Sequence, residues 1–360
     1  MLKTAGVAVG TVFFLAVAAL YSVTATAASS IIFLGVLWLL TPVPLVFLWR
    51  SLSHDSSRLR RTLATSYLVV STVLAGVVLG GVGWIGSERG IHPGQCSDLP
   101  QVRDYPQLQL QDVTFLSREG TKRAGWFVPG KDKATILLLH GYNCDKREML
   151  PHADFLHAAG YSVFLFDFRN RGQSEGSAVS LGYYEQQDVL GAIDYLKTRS
   201  DVDADRLGAL GVSMGGATAI MAAAQTPELK AVVSESAFRS ADSSIKQAFT
   251  HFVSLPSFPY APITVQIIRL RLGISPGDIV PENVVGKISP RPIFIIHGLN
   301  DKTISPDDGR ALYAAAREPK ELWLVPGSGH AQGVKVAKEE YTRRVVAFFD
   351  QYVRSTTPLP

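Results

Sequence analysis

Residues 108–355 read as an α/β domain with a parallel sheet covered on both faces, and three observations predict it. Strand-like runs at 134–140, 161–167, 206–212, 230–235, 292–297 and 320–325 alternate with helical segments at about 146–159, 183–198, 214–225, 305–317 and 335–353. Several of the strand runs, such as Ile136-Leu137-Leu138-Leu139 and Ile293-Phe294-Ile295-Ile296, are apolar throughout. Strands buried on both faces read that way, whereas half-exposed strands alternate. Finally, Gly211-Val212-Ser213-Met214-Gly215 stands where a strand run passes into the Ala-rich helix that begins at Gly216.

From the N-terminus, the chain carries no Asp, Glu, Lys or Arg from Thr4 to Trp49, nor from Thr62 to Ser87. Each stretch exceeds the ~20 apolar residues that cross a bilayer. The expectation is a transmembrane region over 1–87, with spans at about 5–23, 31–49 and 64–86. Pro42 and Pro44 would kink the second, which membrane helices tolerate. The alternative for residues 1–27 is a cleavable signal peptide, with Lys3 before an apolar core and Ala25-Thr26-Ala27 after it. Arg50, Arg58, Arg60 and Arg61, opposed only by Asp55, form a basic loop between the second and third spans. The positive-inside rule puts that loop in the cytoplasm and residues 88–360 on the far side of the cell membrane. The bilayer is therefore an expected partner. The net charge of +4 is modest and comes partly from that loop, so it gives no reason to invoke nucleic acid.

Residues 88–107 hold Gly90, Pro93, Gly94, Pro100 and Pro106, and read as an extended linker. The globular domain is expected over 108–355, about 250 residues, a size that supports one large core. It opens with a hairpin of 113–117 and 124–128 around Glu119-Gly120. Two cysteines, Cys96 and Cys144, lie in the part expected outside. They are either bridged or two free thiols. No cysteine–histidine spacing suggests zinc, and no metal or organic cofactor is expected to be needed. Between Phe238 and Pro290 the alternation stops. This insertion, about 239–290, carries Phe252, Leu255, Phe258, Tyr260, Ile263, Ile267 and Ile268. It is expected to cap a pocket and to line an acyl site, the alternative being a surface that docks on the membrane.

Ser213 lies on a sharp strand-to-helix turn. Such a turn strains the serine backbone and exposes its Oγ at a helix N-terminus, where the free N–H groups favour negative charge. Two later strand runs end in loops carrying Asp301 and His330. A serine hydroxyl needs a base to become a nucleophile, and the base needs a carboxylate to fix its tautomer. Ser213, His330 and Asp301 supply the three parts, in the chain order Ser–Asp–His. Glu235, after the preceding strand run, is the rival acid. The run 134–140 ends in His140-Gly141-Tyr142. The N–H groups of Met214 and Tyr142 are the expected oxyanion donors. His140 is expected to shape that loop, and Asp167 and Arg169 to pair and brace a neighbouring one.

These segments resemble the α/β-hydrolase superfamily, and most nearly its small-cap serine esterases and acyl-aminopeptidase-like members. The resemblance rests on His140-Gly141-Tyr142, Asp167 to Ser174, Gly211 to Gly216, His297 to Asp301 and Gly329-His330. It implies a mostly parallel sheet of about eight strands and a small cap. It also implies Ser213 as nucleophile, His330 as base and Asp301 as the acid that orients it. Asn170 departs from the relatives' Asp-x-Arg-Gly run. The expected activity is hydrolysis of carboxylic ester or acyl substrates, lipid-derived ones included. The alternatives are amide or peptide hydrolysis by the same triad, and an inactive hydrolase fold serving as a membrane scaffold.

Overall fold

The computed structural model describes residues 58–253 and 257–355. The expected spans at 5–23 and 31–49 lie outside these residues. The described chain forms two compact units.

The larger unit, residues 88–247 and 268–360, holds an eight-stranded sheet in the order β1-β2-β4-β3-β5-β6-β7-β8. The strands are β1 (Gln111–Leu116), β2 (Lys122–Val128), β3 (Thr135–Leu139), β4 (Ser162–Phe166), β5 (Leu207–Val212), β6 (Leu229–Glu235), β7 (Ile293–Gly298) and β8 (Lys320–Val325). β1 and β2 are antiparallel, β2 joins β4 antiparallel, and all later pairs are parallel. This is the sheet that the α/β-hydrolase resemblance implies. Side chains alternate across it, because successive Cβ atoms point to opposite faces. Leu137 and Leu139 of β3 and Phe164 and Phe166 of β4 enter one apolar layer, with Val189, Ile193 and Ala217. Ile136, Leu138, Val163 and Leu165 enter the other, with Leu150, Ala153, Val345 and Phe348. An all-apolar strand is therefore satisfied on both faces at once. The helices covering the sheet include Leu150–Ala158, Glu185–Leu196, Met214–Ala223, Pro306–Ala315 and Lys338–Phe349.

The smaller unit, residues 1–87 and 248–267, contains most of helix α1 (Arg58–Ile91) and part of the insertion. Over the described residues no helix is long and apolar enough to cross a membrane, so the expected third span is not supported there. The segment expected as the third span, 64–86, is helical and forms part of α1. Ile263 and Ile267, expected to line an acyl pocket, face Gly83 instead. A Cβ built there would come within 2.6 Å of Ile263 Cγ2 and 2.9 Å of Ile267 Cδ1. Phe258, expected in the same pocket, is 77% exposed.

Two further expectations are corrected. Residues 88–91 belong to α1 and not to an extended linker, and Ile91 is buried. Asp167 and Arg169 do not pair with each other. Asp167 binds Lys146 Nζ at 2.6 Å, while Arg169 binds Asp188 at 2.8 Å. Each finds its partner on another element, so the signal is not local. Asn170 sits at φ 55, a left-handed conformation that Asn adopts more readily than most side chains.

Candidate active site

Four parallel strands end at one edge of the sheet, and the loops beyond them carry the residues singled out above. Ser213 follows β5, Asp301 follows β7, His330 follows β8, and Gly141-Tyr142 follows β3. Ser213 has φ 54 and ψ −120. A non-glycine residue is rarely held there, and such strain persists only where the surroundings enforce it. Its N–H donates to Glu235 O at 2.8 Å. The flanking glycines are steric necessities. A Cβ on Gly211 would lie 2.3 Å from Gly215 O, and one on Gly215 would lie 2.2 Å from Leu139 O.

The structure joins the three residues into one chain. His330 Nε2 lies 2.9 Å from Ser213 Oγ, and His330 Nδ1 lies 2.8 Å from Asp301 Oδ2. The carboxylate can only accept, so Nδ1 carries the proton and Nε2 is free to accept from the serine. Asp301 Oδ1 accepts from the N–H groups of Thr303 and Ile304, both at 2.9 Å. Burial alone would raise its carboxyl pKa, but hydrogen bonds from His297 and His330 outweigh that and hold it well below the usual carboxylate range. Asp301 thus stays charged opposite His330. Sequence reasoning missed His297. It stands at the end of β7, 3.4 Å from Asp301 Oδ2, and its Nε2 is also 3.0 Å from Ile304 O. The spacing of four residues before Asp301 is the only signal the sequence carries for it.

The rival acid, Glu235, is not at His330. Its side chain accepts from Tyr341 Oη at 2.7 Å and from Gly333 N at 2.8 Å. Burial raises its pKa, but nearby His152, Tyr341 and Gly333 more than offset that and hold the group ionised.

The oxyanion side is built by His140 and Glu148. Phe168 N–H donates to His140 Nε2 at 2.9 Å, so Nδ1 carries the proton and donates to Gly141 O at 2.7 Å. Burial lowers the His140 pKa, in keeping with a neutral ring. Gly141 N–H donates to Glu148 Oε2 at 2.6 Å. A Cβ on Gly141 would lie 3.6 Å from Ser213 Cβ, which puts this turn against the serine. Among the described residues, neither Met214 N–H nor Tyr142 N–H donates a hydrogen bond. Met214 opens the helix Met214–Ala223, and the first four N–H groups of a helix have no partner within it.

A strained serine, an aligned imidazole, a charged carboxylate and two uncommitted N–H groups can together move a proton and stabilise an oxyanion. A family model for the prolyl oligopeptidase family, peptidase S9, matches residues 151–356. The chain belongs to this family. It is a hydrolase of the peptidase S9 and esterase type. The uncharacterized protein YfhR of Escherichia coli O157:H7 is 30% identical over 228 residues, 61% of this chain and 73% of YfhR. The thiohydrolase aneE of Aspergillus aculeatus is 33% identical over 137 residues, 37% of this chain and 43% of aneE. Among solved structures, the Pyrococcus furiosus esterase Pf2001 aligns with 26% identity and a TM-score of 0.62, covering 73% of this chain and 98% of the esterase.

Proposed function

We propose that this protein is a membrane-associated serine hydrolase that cleaves carboxylic ester or acyl substrates through an acyl-enzyme on Ser213. The carrying observation is the hydrogen-bonded chain from Ser213 through His330 to Asp301. Ser213 Oγ attacks the carbonyl carbon as His330 Nε2 takes its proton. The oxyanion is met by the N–H groups of Met214 and Tyr142. His330 returns the proton to the leaving group, and water then releases the acid with the same base. Asp301 keeps His330 in the accepting tautomer throughout.

The likeness to the Pyrococcus furiosus esterase and to thiohydrolase aneE supports an ester or thioester substrate. The family description supports the second reading, a peptide or amide hydrolase, because one triad serves both bonds. Membrane association is supported by the uncharged run from Thr4 to Trp49, and the Arg50–Arg61 loop supports an extracytoplasmic hydrolase domain. The structure bridges Cys96 to Cys144, and disulfides persist in oxidising compartments.

A fluorophosphonate probe tests the nucleophile. Wild-type protein should label on Ser213 and Ser213→Ala should not. Undiminished labelling of the variant removes the assignment. p-Nitrophenyl esters assayed beside aminoacyl p-nitroanilides decide between the ester and amide readings.

A further inference from the structure

The oxyanion loop has little structure of its own. Its one internal backbone hydrogen bond, Cys144 N to Gly141 O, is long at 3.4 Å. It is held mainly from outside, and by an unexpected partner, the last turn of α1 and the residues just after it. Tyr142 Oη donates to Gly90 O at 2.5 Å and lies 3.0 Å from Arg89 O. Burial pushes the Tyr142 hydroxyl pKa up, so it remains a donor. Cys96 N–H donates to Asn143 O at 3.0 Å, and Cys96 is bridged to Cys144. These ties fall on the residue whose N–H is the assigned oxyanion donor and on the two residues after it. A cavity of about 310 Å³ lies beside them, lined by both cysteines, Asn143, Glu148 and Ala331 among others. It therefore touches the bridge, the Glu148 that holds Gly141, and the residue next to His330.

We propose that the Cys96–Cys144 bridge and the Tyr142 side chain are positioning elements for the oxyanion donor, and that a small thiol entering this cavity turns the hydrolase down by opening the bridge. This rests on the hydrolase reading above. Two thiol molecules supply two electrons and two protons. The Cys96–Cys144 bond breaks to two thiols, and the reductant leaves as its own disulfide. The remaining ties keep the loop near its place but no longer fix it. A displacement of about 1 Å at a reacting group costs up to ~10² in rate, and loss of an oxyanion donor ~10²–10³. The expected fall in kcat is therefore about 10- to 100-fold, with KM within about twofold, because the donor acts on the transition state.

The test uses the full-length chain, well below its melting temperature. The protein is measured oxidised, then after 2-mercaptoethanol has released both thiols by titration. Three readouts are taken: p-nitrophenyl acetate kinetics, the inhibition constant of phenylboronic acid, and amide hydrogen exchange over residues 139–145. On reduction kcat should fall, the boronate (a tetrahedral adduct that needs the same donors) should weaken by a similar factor, and exchange should quicken. Reoxidation should restore all three. Cys144→Ala should start at the low kcat and not respond to the thiol. Tyr142→Phe, which keeps the bridge, supplies the second variant if Cys144→Ala does not fold, and should lower kcat and boronate affinity together. Unchanged kcat and unchanged exchange after complete reduction overturn the proposal. So does a fall in kcat that only tracks an unfolded fraction. If the oxidised protein neither turns over ester nor labels with fluorophosphonate, the hydrolase reading has failed, and exchange over 139–145 alone decides whether the bridge positions the loop.

Discussion

Replacing Asp301 by Asn separates charge from shape at the centre of the site. The amide is nearly isosteric. Its carbonyl oxygen can keep the two hydrogen bonds from Thr303 and Ile304 N–H. Its NH₂ group then faces His330 Nδ1, the atom that now donates to Asp301 Oδ2 at 2.8 Å. Two donors cannot share that contact, so Nδ1 must become the acceptor and the proton moves to Nε2. Nε2 is the atom 2.9 Å from Ser213 Oγ, and once protonated it can no longer take the serine proton. A wrong tautomer of this kind lowers kcat by ~10⁴, equivalent to about 5.4 kcal/mol of barrier. Turnover of p-nitrophenyl acetate and the fluorophosphonate labelling rate should fall together, while the far-UV circular dichroism stays unchanged. A kcat within tenfold of wild type, with a folded protein, would refute the reasoning. Strong loss in Glu235→Gln alongside a silent Asp301→Asn would assign the acid to Glu235.

Glu235→Gln leaves Gly333 N–H or Tyr341 Oη without its charged acceptor. It should cost about 1–3 kcal/mol of stability, read by urea denaturation, with kcat of the folded enzyme changed less than about threefold. Lys146→Met leaves the fully buried Asp167 without its cation, so a loss of about 3–5 kcal/mol is expected, and an unshifted melting temperature would show that backbone donors alone support the carboxylate. The carboxyl of Asp301 is held below its ordinary value in the folded state, so its contribution is complete above about pH 4 and is lost as pH falls through the folded value. The fall in melting temperature on acidification should therefore be shallower in Asp301→Asn than in wild type. A reporter that needs export, fused after residue 360, should be active, whereas activity of only a cytoplasmic reporter would reverse the proposed orientation.

The sheet and the triad could be read in the sequence because their signals are local. The apolar runs of β3, β5 and β7 report burial on both faces, and Gly211, Ser213 and Gly215 report a turn that few other residues could make. Asp301 and His330 are legible because each lies in a loop that closes a strand run. The partners of Asp167 and Arg169 were not legible, since Lys146 and Asp188 reach them from other elements and many cations in the chain would have served as well. Glu148 carries no motif at all. Its role at Gly141 follows from the 3₁₀ turn Lys146–Met149 placing it back over the loop it follows. The apolar residues of the insertion were recognised as buried-type residues, but composition could not say against what. Ile263 and Ile267 meet a glycine on α1.

β6 and β7 pair in parallel from Val232↔Ile293 to Glu235↔Ile296, although the whole insertion lies between them in the chain. Ser213 hangs from the end of β6 through Glu235 O, and Asp301 hangs from the end of β7. The distance between serine and carboxylate is thus set by strand spacing, and the length of the intervening segment does not enter it. Doubling such a loop adds only ~0.6 kcal/mol of closure entropy. Ile274, Ile279, Val285 and Ile288 of the insertion belong to the core of the larger unit, so the stretch able to vary is residues 248–267, which lie in the smaller unit. A different segment grafted between Gln247 and Ile268 would leave the strand spacing, and with it the catalytic centre, as it is.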